Sequence, residues 1–144
     1  MPKQLQESSP FLFWTIVMIV AQRTPDTYAG RDSGLLVAYK PLLEKAVLAT
    51  PLTLSTIEAL LYLCTWPLSV DYQARDQSWT LIAIALNAAL YSGLHTPTHP
   101  QSLRSVGVFV DTSSQTRSSL WLASFYLSTK YQARAYLARF PANS

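Results

Sequence analysis

Residues 55–95, STIEALLYLCTWPLSVDYQARDQSWTLIAIALNAALYSGLH, decide the fold class of this chain. Ser55-Thr56-Ile57-Glu58 reads as a capping box: the Ser55 hydroxyl can accept from the Glu58 N–H while the Glu58 carboxylate reaches back to the Ser55 N–H. Ile57, Leu60, Leu61 and Cys64 then recur at the i, i+3, i+4, i+7 spacing of one helix face, and Glu58, Tyr62 and Thr65 fall on the other. Trp66-Pro67 ends this helix, because proline has no N–H to bond back to the preceding turn. After a loop carrying Asp71, Arg75 and Asp76, either Asp76 or Ser78 can cap a second helix, from Trp79 to Leu90. Its apolar residues wrap most of the circumference, leaving Thr80, Asn87 and Tyr91 as a narrow polar seam, which predicts a place at the centre of a bundle. Gly93 suits the left-handed position that terminates a helix, and His95 is expected to cap or bond there.

Working outward, the remaining segments add helices and no sheet. Ser9 as N-cap and Pro10 at the first helical position announce a helix to about Gln22. Its run from Phe11 to Ala21, broken only by Thr15, has almost no polar face and predicts a helix buried all round. That run is shorter than the roughly 20 residues a bilayer crossing needs. A secretory leader is the alternative, but Glu7 and Pro10 interrupt the approach and only Lys3 precedes it. Thr24-Pro25-Asp26 reads as a turn. Leu35 to Ala49 has helical spacing with Pro41 inside it, which predicts a kink or restart. Residues 96–115 show no helical period, Val106 to Val110 being a weak strand candidate read as loop. The last helix is expected from about Ser114, burying Leu120, Trp121, Phe125 and Leu127. The organisation expected is a tail over residues 1–8 and an all-α, irregular bundle of about five helices over residues 9–144.

These pieces, in order, resemble the middle homology region of fungal zinc-cluster transcription factors. Ser55, Ile57, Leu60, Leu61, Leu63, Cys64 and Trp66-Pro67 are similar to the family's S-x-I-x-A-L-L-L-L-C-x-W-P helix. Ser78-Trp79, Ala83, Ala85, Ala89 and Leu90, running into Gly93-Leu94-His95, resemble the next. Ser9-Pro10-Phe11-Leu12 with Trp14 and Ile16 looks like the opening segment, and Arg117, Leu120-Trp121 and Phe125 like the R-x-x-L-W-x-x-F helix. The resemblance spans about nine tenths of the chain. Thr96-Pro97 stands where the family often has a basic residue, and Ala138-Arg139-Phe140-Pro141 stands near the expected G-R-P.

The resemblance implies the N-terminal half of a regulatory domain in a nuclear transcription regulator, non-catalytic, contacting protein partners, the remainder of the domain or a second copy. DNA would be reached only through a zinc module absent from this chain. A zinc cluster needs a full set of thiolates, whereas Cys64 is the single cysteine here. No cofactor and no membrane attachment are expected. The residues singled out are structural: Ser55 and Glu58 as cap, Trp66 at the helix end, Trp79 and Trp121 as core anchors, Gly93 as terminator, with His95 and Arg117 as motif positions.

Composition and charge narrow the function classes independently. Of 144 residues, 49% are apolar and 13% charged, about half the usual charged share, so little of the chain is built to solvate. The net charge of +3 comes from scattered basic residues, not from one basic arm. That argues against direct nucleic-acid binding. Lys130, Arg134 and Arg139 are the densest basic group; a solvated face is preferred there over an acidic or phosphate partner. His95 and His99 have a metal-like spacing, but Pro97 and Pro100 exclude the helix that would converge them. Cys64 on an apolar face reads as core, not as a nucleophile needing an exposed thiolate. The chain has four glycines, with no Gly-rich phosphate loop, and no serine elbow. Trp14, Trp66, Trp79 and Trp121 read as core packing in preference to a ligand pocket. A small-molecule-binding helical module, a secreted helical protein and an enzyme are the other classes weighed.

Overall fold

The structure, a computed structural model, describes residues 2–24, 32–68, 77–96 and 113–139. Among them are six helices and no strand, in agreement with the all-α reading. They are α1 Pro2–Ser8, α2 Pro10–Arg23, α3 Asp32–Leu48, α4 Leu54–Thr65, α5 Ser78–Tyr91 and α6 Ser114–Arg139.

The segment read as a tail is helix α1, and Leu5 packs against the core. Ser9 occupies the cap position of α2, yet its side chain makes no capping bond. Its N–H donates to the Leu5 carbonyl at 2.9 Å, closing α1, and its own carbonyl accepts from the Phe13 N–H at 3.0 Å, opening α2, while Ser9 itself, at φ −147° and ψ 71°, breaks the helix between them. Pro10 follows without penalty, since a first-turn N–H has no intrahelical partner to lose.

The expectation that α2 is buried all round is corrected. Phe11, Leu12, Thr15, Met18 and Ala21 are buried, whereas Trp14, Ile16 and Val20 are exposed. The reason is position: α2 packs on α1, α3 and α4 from one side of the bundle. Its one buried hydroxyl, Thr15, donates to the Phe11 carbonyl at 2.7 Å. That spends the hydroxyl's only proton, so the Tyr39 phenol, 2.7 Å away, is the donor in the bond that ties α3 to α2. The Phe11 and Tyr39 rings stack beside it, centroids 6.0 Å apart.

Helix α3 runs through Pro41 as one element, so of the kink or restart predicted there the restart does not occur. Proline removes the bond to the Val37 carbonyl, but Val37 and Pro41 are both exposed and water can take that carbonyl.

The centre of the bundle is α4, not α5. Helix α4 packs on α2, α5 and α6 and buries Ile57, Ala59, Leu60, Leu61, Leu63 and Cys64. Each fully buried leucine or isoleucine contributes about 1.5–3 kcal/mol. Helix α5, though more apolar overall, keeps Trp79, Leu90 and Tyr91 exposed and buries chiefly small residues, Ala85, Ala88 and Ala89. Its partner α6 likewise buries Ser124 and Ser128 beside Leu120 and Leu127. Small side chains on both helices permit close approach, and Ser124 satisfies its hydroxyl by donating to the Leu120 carbonyl at 2.7 Å.

Two bonds close the bundle around the last turn of α4. The Tyr131 hydroxyl donates to the Cys64 carbonyl at 2.7 Å, one of the carbonyls a helix end leaves without an intrahelical donor. The Cys64 thiol donates to the Ser78 carbonyl at 3.5 Å at the start of α5.

Candidate functional site

The corner where α5 ends against the first turns of α6 brings together Gly93, His95, Arg117 and Trp121. Helix α5 terminates as the glycine predicts: Gly93 has φ 66°, the left-handed conformation, and the Leu94 N–H donates back to the Ala89 carbonyl at 3.0 Å. This is the six-to-one bond of a Schellman end, and Leu94 is buried against the core.

Reversal of the chain at Gly93 aims its carbonyl at α6. That oxygen accepts from the Thr96 hydroxyl at 2.8 Å, the Thr96 N–H at 3.2 Å and Nη2 of Arg117 at 2.7 Å. Nη2 also donates to the Thr96 carbonyl at 3.3 Å. Arg117 is only 5% exposed, so its charge is taken out of water and answered by carbonyl oxygens. A cation in the first turn of a helix faces that helix's positive end, which is unfavourable by itself. The guanidinium instead reaches the C-terminal end of α5, where carbonyl dipoles concentrate negative potential. The arginine thereby fixes α6 against α5.

Beyond this clamp the rings continue outward. His95 is exposed and lies 5.7 Å, centroid to centroid, from Trp121, which lies 6.0 Å from Phe125. His95 thus meets an aromatic ring at the helix end. Trp121 is half-buried and packs against the core, whereas Trp79 is 47% exposed, so the assignment of Trp79 as a core anchor is corrected. Trp14 at 39% and Trp66 at 40% are likewise at the surface. The deep core is filled by Met18, Ile57, Leu60 and Leu63.

The remaining sequence-derived positions sit elsewhere. Ser55 and Glu58 do not form a capping box. The N-cap of α4 is Thr53, whose hydroxyl oxygen accepts from the Thr56 N–H at 3.2 Å, so the helix starts one residue before Ser55. Ser55 turns its hydroxyl to Thr53, and the Glu58 carboxylate accepts from the Tyr62 hydroxyl at 2.7 Å. Trp66 caps the far end of α4, its N–H donating to the Tyr62 carbonyl at 2.8 Å. It also lines a groove of about 390 Å³ with Ile16, Ile19, Val20, Arg23 and Tyr62. A second cavity of about 330 Å³ lies between α3, α4 and α5, with Tyr39, Leu43, Leu63 and Leu81 among its walls.

Two phenols are perturbed. Burial pushes Tyr39 up to about 12, and the Glu58 carboxylate that accepts the Tyr62 proton pushes Tyr62 up to about 12. Both stay neutral at physiological pH.

Metal chemistry finds no donor set here. No group of three or more His, Cys, Asp or Glu residues gathers among the described residues. The single cysteine is buried with its thiol on a carbonyl. These residues do not fit a zinc cluster. His99, the Asp71–Asp76 loop, Pro25, Val106 to Val110 and the Phe140-Pro141 ending lie outside the described residues. No described helix is long and apolar enough to cross a membrane.

The chain belongs to the fungal-specific transcription factor domain family, whose model matches residues 1–131. SEF1 of Eremothecium gossypii is 24% identical over 123 residues, covering 85% of this chain and 12% of that protein. SEF1 of Kluyveromyces lactis is 25% identical over 124 residues, covering 85% of this chain and 11% of that protein. SEF1 of Candida albicans, named a transcriptional regulatory protein, is 27% identical over 92 residues, covering 64% of this chain and 10% of that protein. The chain therefore spans little more than a tenth of the length of the relatives it matches. No solved structure matches.

Proposed function

We propose that these residues serve as part of the regulatory domain of a nuclear transcription regulator, acting through protein contacts and performing no chemistry. The observation that carries the reading is the family match, which covers every described helix up to Tyr131. The structure supports it in kind: its most elaborate polar arrangement, Arg117 with Gly93 and Thr96, is spent on fixing one helix against another. Cys64 is likewise occupied in packing, and DNA would be engaged by a zinc-holding module outside these residues. Partners would be the rest of a longer polypeptide, another regulator or a second copy of this chain.

The test is a fusion of the chain to an unrelated DNA-binding module in a fungal cell carrying a matching reporter gene. The fusion is expected to change reporter transcription relative to the module alone. An abundant, folded fusion whose output equals that of the bare module would contradict the reading.

A further inference from the structure

We propose that the outer face of α6 is a docking site for an acidic amphipathic helix that lies outside residues 1–144. Helix α6 buries one stripe, Arg117, Leu120, Ser124, Leu127 and Ser128, against α4 and α5. On its opposite side Leu122, Phe125, Tyr126 and Leu137 are 55–69% exposed. With Ala133 and Thr129, whose hydroxyl is turned to the Phe125 carbonyl at 2.9 Å, they fall at i, i+3, i+4, i+7, i+11 and i+15, a largely apolar row along about 22 Å of helix. A solvent-facing helix side ordinarily carries charged residues, and a contiguous apolar one marks an interaction surface.

Charge selects the occupant. Lys130 and Arg134 flank this row one turn apart, Arg139 lies near its end, and α6 contains no Asp or Glu. A second copy docking through the same face would set like charges against one another. No segment of residues 1–144 supplies the complement either. The eight acidic residues, Glu7, Asp26, Asp32, Glu44, Glu58, Asp71, Asp76 and Asp111, stand four or more positions apart, none in an apolar helical row rich in carboxylates. A helix from outside, with leucine or phenylalanine on one face and glutamate along its edge, matches both features. It would lie along the row with its carboxylates over Lys130 and Arg134, the helix-in-groove mode of recognition with electrostatic complementarity. A basic amphipathic helix also suits an anionic membrane surface. The inference rests on the regulatory reading above for choosing a protein over a lipid.

The experiment uses the whole purified chain and a fluorescently labelled designed peptide that is helical, apolar on one face and Glu-rich on the other. Controls are the same peptide with every Glu replaced by Lys and a scrambled peptide of equal composition. Saturable binding of the acidic peptide alone is expected, weakening as salt rises. Affinity should fall about tenfold or more in F125A/Y126A, and similarly in K130E/R134E. These positions are exposed, so unchanged circular dichroism and melting serve as the folding check. K130E/R134E should also gain affinity for the Lys-bearing peptide, which a folding defect cannot produce. Equal binding of all three peptides, no binding, self-association lost in F125A/Y126A, or tighter binding to phosphatidylserine vesicles than to the peptide would each overturn the proposal. Because no transcription is read, failure here leaves the reporter test of the regulatory reading to stand or fall separately.

Discussion

Arg117 shows most clearly how a single side chain organises this bundle. Its charge sits at the start of one helix and is answered at the end of another, by the Gly93 and Thr96 carbonyls. Arg117→Ala removes the donor shared by both carbonyls and opens a space at a buried corner, so urea denaturation should show a loss of about 2–3 kcal/mol. Arg117→Lys should recover only part of it, since a single ammonium cannot reproduce the planar donor fork. Gly93→Ala forces a Cβ into the left-handed region and should cost about 1–2 kcal/mol in the same assay. Tyr39 gives a pH signature. Its phenol titrates near 10.0 when unfolded and is pushed up to about 12 in the fold, so its contribution is intact below pH 10 and lost as pH rises through 12. Tyr39→Phe should flatten the fall in stability across that window, measured as denaturation midpoints against pH. Arg117 itself was legible in the sequence only through the motif it shares with the family. An arginine among serines at a helix start otherwise reads as solvated.

Element by element, the hairpin of α4 and α5 was readable because its signals are local: apolar residues at helical spacing, Pro67 as a stop, Gly93 as a terminator. The cap of α4 was misplaced because Thr53 and Ser55 offer the same hydroxyl two positions apart, and Tyr62 claims the carboxylate that a capping box would need. Which helix lies at the centre was not legible. Composition favours α5, but its small residues mark a close contact on one side, while α4 has neighbours on three. The buried side of α6 was half read: Leu120 and Leu127 were found, whereas Ser124 and Ser128 go inside in place of Phe125 because α5 lies too near for a large ring. Ser124→Leu should therefore overpack the α5–α6 contact and lower stability by about 1–3 kcal/mol, read from thermal unfolding. Tyr131→Phe should cost about 1 kcal/mol by removing the hydroxyl that donates to the Cys64 carbonyl.

For the molecule as a whole, burial and surface tell one story. The core is mostly aliphatic, with the Phe11 and Tyr39 rings among it, the one thiol is enclosed, and the surface retains tryptophans, tyrosines and leucines. Family membership and the all-helical class were legible because motifs and periodicity survive without knowledge of packing. The surface position of Trp14, Trp66 and Trp79 was not, because an aromatic residue on an apolar helix gives no sign of which side its neighbours take. Action of the bundle through its outer face, as proposed, is a property of the whole molecule. Its most direct test is reporter transcription by the DNA-binding fusion carrying F125A/Y126A, compared with the unaltered fusion at equal abundance and equal melting temperature. The output should move back toward that of the bare DNA-binding module; an output identical to the unaltered fusion would contradict action through the outer face.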